Sequence, residues 1–269
     1  APIDYIKKDN KKSILIFIHG FTSSNETWIN SSEKSFPEML LKEEDIKDNF
    51  DMAYFNYFTK LSDFHKTRFS KGVFRSIFKG TSNIKKNIGI KSLSDHLKSA
   101  IDIYCHDYEN IILVAHSMGG LISKSYILEE LELNKQTNVK LFISLAVPHK
   151  GSDWANIGEK LFKSNKQIID LNPQSEFLDK INNNWVQSKD TLPKTVYYYG
   201  QYDDIVEEIS AVSYQVEKQL KVACNNDHFN ICKPESEDSI VYSGVKRDLL
   251  LFNKENRLVS KKKNLMKEN

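Results

Sequence analysis

The sequence predicts an α/β fold: a mostly parallel central sheet with helices on both faces. Three observations lead there. Residues 13–18 (S-I-L-I-F-I) and 111–114 (I-I-L-V) are continuous apolar runs, the pattern of strands buried on both faces. Amphipathic helical stretches separate these runs, and parallel neighbours need such crossovers. The chain has 269 residues, 40% of them hydrophobic, enough for one large core.

The elements follow in order. Residues 1–12 are polar, with a short edge strand near 3–6. Residues 13–18 form a buried strand, 25–28 and 36–41 are helical pieces, and 51–57 is the next strand. Leu93, Leu97 and Ile101 recur at spacings of four, so 92–108 reads as an amphipathic helix. The strand at 110–114 is followed by a helical pattern through Leu121, Leu128 and Leu131. A strand at 139–147 ends in Pro148-His149-Lys150-Gly151-Ser152. Helices are predicted at 152–162 and 176–185, with a break at 171–175. A strand at 194–199, helices at 212–222 and 239–252, and a frayed polar tail complete the chain. The domain reading is one domain over 1–253, with 58–91 as an insertion and 254–269 as the tail.

Overall charge excludes little: the net value of +2 argues for neither nucleic acid nor membrane. Three cysteines, Cys105, Cys224 and Cys232, are too few for a disulfide framework and suit a reducing compartment. No apolar run approaches the ~20 residues of a membrane span, and no signal-peptide core opens the chain. The expected localisation is therefore cytoplasmic. The first residue is Ala1 rather than Met, which leaves room for a trimmed leader. Cys224, His228 and Cys232 are spaced by four, but zinc wants a fourth ligand and none is nearby, so no metal is expected. No cofactor is expected either.

The chemistry concentrates at Ala115-His116-Ser117-Met118-Gly119. This is the G-x-S-x-G turn between strand and helix, with Ala in the first place. Such a turn strains the serine backbone and needs small residues on both sides. It leaves the Met118 N–H at a helix start, where it can meet an oxyanion. The competing reading is a serine that merely caps the helix. His19-Gly20-Phe21 follows the first buried strand, and the Phe21 N–H is assigned as the second oxyanion donor.

A serine hydroxyl needs a base, and the base an orienting acid. In hydrolases built on this turn the acid and then the histidine follow the serine in the chain. Of seven histidines, His228 alone lies after both the serine and the acid candidates. Asp203 and Asp204 both stand just past the strand at 194–199; Asp203 is preferred and Asp204 is the alternative, with Asp153 and Asp170 weaker. His19, His116 and His149 are placed around the substrate pocket, His19 and His149 more for structure than for chemistry.

Residues 58–91 stand apart. They hold Lys60, Lys66, Arg68, Lys71, Arg75, Lys79, Lys85, Lys86 and Lys91 against Asp63 alone, interleaved with phenylalanines. The segment reads as a solvated loop, as a lid over an acyl pocket touching an anionic membrane, or, least favoured, as a nucleic-acid patch.

Together, Phe17-Ile18-His19-Gly20-Phe21, Ala115 to Leu121, Pro148 to Ser152, Gly200-x-x-Asp203-x-Ile205-Val206 and Asp227-His228-Phe229 resemble the lipase-like α/β-hydrolases related to GPI inositol-deacylase and the serine-active-site-containing proteins. The resemblance implies an α/β-hydrolase fold with six or more strands, a Ser117–Asp203–His228 triad, and hydrolysis of carboxylic esters, often lipid-like. Two alternatives stay open: acyl transfer on the same triad, and a binding or scaffold protein that has lost catalysis.

Overall fold

The computed structural model describes residues 1–20, 25–57, 89–150, 154–165 and 175–267. Seven strands form one sheet: β1 (Ile3–Lys7), β2 (Ser13–Ile18), β3 (Phe50–Phe55), β4 (Asn110–His116), β5 (Val139–Leu145), β6 (Lys194–Gly200) and β7 (Lys221–Cys224). Their order is β1-β3-β2-β4-β5-β6-β7. Only β1 runs antiparallel, on the outer side of β3; all other pairs are parallel. This is the mostly parallel sheet that the apolar runs predict.

Strand alternation divides the core. In β2, Ile14, Ile16 and Ile18 face one side, while Leu15 and Phe17 face the other. In β4, Ile111, Leu113 and Ala115 join the first set, and Ile112 and Val114 the second. The first face is covered by α3 (Ile90–Tyr104), α4 (Met118–Asn134), α5 (Trp154–Asn165) and α6 (Ser175–Gln187), through Leu97, Leu121, Leu161 and Trp185. The second is covered by α1 (Phe36–Leu40), α2 (Glu44–Asn49) and the long C-terminal helix, through Phe36, Ile46 and Leu249. A helix is thus needed on each side to bury both rows.

Local chemistry explains individual elements. Ser35 and Glu38 form a reciprocal capping box at the start of α1, with Pro37 in its first turn. The first ten residues of α4, Met118 to Ile127, are all buried, so this helix has no solvent face until its second half. Its seating depends on two glycines. A Cβ on Gly119 would stand 2.3 Å from the His19 carbonyl oxygen and 2.6 Å from that of Ile18; a Cβ on Gly120 would stand 2.1 Å from Val147 Cγ2. The helix therefore lies directly on the ends of β2 and β5.

Two expectations fail. Residues 212–222 do not form a helix: Gln215 takes φ 55°, outside the right-handed region, and the segment continues as a short turn and then β7. That strand is four residues at a sheet edge, too short to show in an apolar pattern. The polar tail does not fray before Lys267. It continues the last helix, whose span we number α8 (Ile240–Lys267), preceded by the single turn α7 (Glu208–Ala211).

Lys124, in α4, is fully buried and donates to Asn182 Oδ1 of α6, with its ammonium position over the Trp185 ring at 5.2 Å. Burial holds this amine well below its ordinary value of 10.5. His149 stands close enough to feel it and is itself pushed well below 6.5, first by burial and then by Lys124 and Lys150.

Two outcomes test these features. Gly119→Ala should lose about 1–3 kcal/mol in urea unfolding, because both atoms it meets are backbone; a variant as stable as wild type would mean the β2 and α4 ends are free to part. For Lys124, the native amine is unprotonated between its lowered value and 10.5, whereas the unfolded amine is protonated there. The unfolded state binds the extra proton, so between those two values stability rises with pH by up to about 1.4 kcal/mol per pH unit, and the rise levels off through 10.5. Lys124→Met should flatten that slope, and equal slopes would show that the native amine stays charged.

Candidate active site

The register of β2 against β4 aligns Ile18 with Ala115, so the residues after each strand emerge side by side. His19 and Gly20 leave β2 there, and Ser117 leaves β4. A Cβ on Gly20 would stand 3.5 Å from Ser117 Cβ and 3.8 Å from the Met118 nitrogen. Ser117 has φ 53° and ψ −126°, a strained combination for a residue with a side chain. That turn separates its hydroxyl from the helix it precedes. Ser117 makes no side-chain cap bond to α4; its Oγ lies 2.9 Å from His228 Nε2 instead. The helix-capping reading of this serine therefore fails.

His228 lies in the loop after β7. Its other ring nitrogen, Nδ1, is 2.8 Å from Asp203 Oδ2. A carboxylate can only accept, so Nδ1 carries the hydrogen and Nε2 is left to accept from the Ser117 hydroxyl. Both ring nitrogens of His228 are thereby engaged. Asp203 sits in the turn after β6 with a fully buried side chain. Its Oδ1 accepts from the backbone N–H groups of Ile205 (2.9 Å) and Val206 (2.8 Å). These bonds fix the plane of the carboxylate and leave Oδ2 aimed at the histidine. Asp204, next in the chain, is exposed.

The two loops are held together by backbone. The Gln201 N–H donates to Cys224 O and that of Tyr202 to Asn226 O. Gly200 permits this approach, since a Cβ there would stand 2.4 Å from Asn226 O. Asp227 accepts from the N–H groups of Phe229 (2.9 Å) and Asn230 (2.8 Å), closing the turn that presents His228. Phe229 stands edge-on to the His228 ring at 5.2 Å.

The other three histidines singled out in the sequence lie in distinct surroundings. His116 Nε2 is 2.7 Å from the carbonyl oxygen of His228, so Nε2 donates and Nδ1 is a bare acceptor with no partner. Burial and the neighbouring His228 push the His116 ring down to about 3, so it stays neutral. Residue 116 thus holds the main chain of the histidine whose ring faces residue 117. His19 Nδ1 donates to Gly20 O at 2.7 Å, and its ring stacks on Tyr57 at 4.4 Å. Tyr57 in turn donates to the His19 carbonyl at 2.6 Å. His149 Nε2 pairs with Ser144 Oγ at 2.7 Å beneath the sheet edge.

Met118 is the first residue of α4, so its N–H has no acceptor four residues back in that helix. The Phe21 N–H, Asp153, Asp170 and residues 58–88 of the basic segment lie outside the described residues. Sequence reasoning did not find the backbone ties at Gly200 and Asp227 or the hold of His116 on His228. Glycine and Asx-turn chemistry signal turns there, but not which loop each turn meets.

Residues 11–219 match the family described as PGAP1-like alpha/beta domain. Protein SERAC1 of Danio rerio is 33% identical over 150 residues, covering 49% of this chain and 22% of that protein. The Homo sapiens protein of the same name is 28% identical over 152 residues, with the same shares. The matched stretch is thus well under two thirds of these relatives' length. Among solved structures, Est1E of Butyrivibrio proteoclasticus, seen with ferulic acid bound, aligns with a TM-score of 0.53 at 14% identity over 92% of each chain. A lipase-esterase related protein of Clostridium acetobutylicum aligns at 0.50 and 15% identity, covering 94% of this chain and all of that one. At such identities the likeness speaks for a shared fold. The family match spans most of the chain, and on it this protein belongs to the PGAP1-like alpha/beta domain family, with the α/β-hydrolase fold of esterases and lipases.

Proposed function

We propose that the protein is a serine ester hydrolase of lipase or esterase type. The observation that carries this is the continuous chain from Ser117 Oγ to His228 at 2.9 Å and from His228 to Asp203 at 2.8 Å, begun by a serine in a strained turn. A serine placed only for folding has no need of this alignment.

His228 Nε2 takes the hydroxyl proton as Oγ attacks the ester carbonyl carbon. The C=O π electrons move to oxygen, which the N–H groups of Met118 and Phe21 receive. As the tetrahedral species collapses, the C–O bond to the alcohol breaks and His228 gives its proton to the departing oxygen. Water then attacks the acyl-enzyme with His228 as base, and the acid leaves while Ser117 regains its proton. Asp203 holds the Nδ1–H tautomer throughout and stabilises the imidazolium. His19, beside Gly20, borders the pocket; His116 acts through the His228 backbone. Lipid-like esters are the substrate class we favour, on the resemblance of the motifs.

Labelling with a fluorophosphonate probe should be abolished in Ser117→Ala and His228→Ala, with circular dichroism and melting unchanged. A folded wild type that neither labels nor hydrolyses p-nitrophenyl esters would support a scaffold that has lost catalysis. Asp203→Asn should lower kcat by about 10³–10⁴, whereas Asp204→Asn should stay within about twofold, as an exposed turn residue does. The reverse order would move the acid by one residue.

A further inference from the structure

Helix α8 has two unlike halves. Up to Arg257 it is anchored: Val241, Val245 and Leu249 lie in the core, and Asp248 accepts from the Tyr198 hydroxyl at 2.6 Å. Glu255 pairs with Lys194 at the start of β6, and Arg257 with Asp45 of α2, both at 3.6 Å. From Arg257 on, every side chain described is exposed. This outer part is not merely polar. Leu251 (41% exposed), Leu258 (52%), Val259 (50%) and Met266 (80%) fall within about 100° of the helix circumference, an arc they share with Glu255, which is paired to Lys194, and with Lys262. Residues 256–267 also contain Arg257, Lys261, Lys262, Lys263 and Lys267 and no acid. Beside the helix root lies a cleft of about 520 Å³ lined by Lys11, Lys12, Arg257 and Lys261, with Asp48 its one acid.

We propose that the outer half of α8 is a docking surface for an anionic lipid bilayer. The charge decides against a second copy, because two such helices would set lysine against lysine. The exposed Leu258, Val259 and Met266 decide against nucleic acid, which offers them nothing to enter. An anionic bilayer satisfies both: headgroups meet the lysines, and Leu258, Val259 and Met266 enter the acyl boundary, while Lys262 between them extends its long stem to bring its ammonium up to the headgroups. Among the described residues no helix is long and apolar enough to cross a membrane, so α8 lies on the surface and does not span it. The contact is separate from the proposed chemistry. It sits by Lys194 and Ser13, at the start of the strands, whereas Ser117 follows the far end of β4. Seven residues of strand at about 3.3 Å each put ~23 Å between those edges. Docking here tethers the protein and leaves the serine facing away from the bilayer.

The test is flotation with phosphatidylcholine vesicles, with and without phosphatidylglycerol. Wild type should bind only the anionic vesicles, and binding should fall with added salt. The triple variant Lys261→Gln, Lys262→Gln, Lys263→Gln should partition about a hundredfold less, at about 1 kcal/mol per lysine. Leu258→Gln with Met266→Gln should lose at least about tenfold. Both variants should keep wild-type helicity and wild-type labelling of Ser117, so the docking and the proposed chemistry fail independently. Four results would overturn the proposal: no binding by wild type, equal binding without phosphatidylglycerol, full binding by both variants, or a wild-type dimer in sedimentation that Leu258→Gln dissociates.

Discussion

The structure depends on one close approach, where Gly119 at the start of α4 lies against the carbonyls of Ile18 and His19 at the end of β2. With any larger residue the helix would stand off the sheet. Ser117 then could not turn at φ 53°, and its hydroxyl would not reach His228. Backbone strain of this kind costs on the order of 1–3 kcal/mol and persists only where packing over-determines it. The packing here is a strand with no exposed residue on one side of the turn and, on the other, a helix whose first ten residues are all buried. Gly120 against Val147 and Gly20 beside Ser117 extend the same small-residue contact to β5 and to the loop after β2.

Around that point, buried polar groups are arranged by what they can and cannot ionise. Asp203 keeps three hydrogen bonds in a fully buried setting, each donor suited to a carboxylate. His116 is pushed below its ordinary value first by burial, which keeps a neutral ring beside the one imidazole proposed to take a proton; burial lowers His19 and His149 in their own surroundings as well. A charged His116, with its ring centre 5.0 Å from that of His228, would oppose the imidazolium formed in each turnover. The bare Nδ1 of His116 is thus a tolerable cost: an unpaired acceptor is less harmful there than a cation.

The sequence makes the centre of this design legible and its edges less so. The parallel sheet could be read because β2 and β4 are apolar on both faces. Ser117, Asp203 and His228 could be singled out because the proposed nucleophile, acid and base follow a chain order, the first two just past an expected strand and His228 as the last histidine of the chain. The strand β7 could not, since four residues with a single buried one carry no pattern. The helical continuation beyond residue 253 was hidden for another reason: polar composition resembles a tail, while Leu251, Leu258 and their lysines are also good helix formers. The preference for Asp203 over Asp204 could be stated from the sequence, but its cause lies in the turn, where two backbone N–H groups hold the carboxylate that lies inside.

Strand polarity explains why the two edges of this sheet suit opposite charges. Parallel strands end together, and the helices that return over them begin at that same edge. The amide-rich start of α4 therefore meets the end of β4 at Ser117, and its dipole favours negative charge there. The opposite edge collects helix ends, where exposed carbonyls favour cations. Helix α8 finishes on that side, and Lys261, Lys262 and Lys263 fall in its last two turns. Their charge is stabilised by the helix they terminate, while it lies too far from Ser117 to be felt through physiological salt, whose screening length is about 8 Å. One arrangement of parallel strands thus favours an oxyanion at one edge and a basic surface at the other, and neither has to be built at the expense of its counterpart.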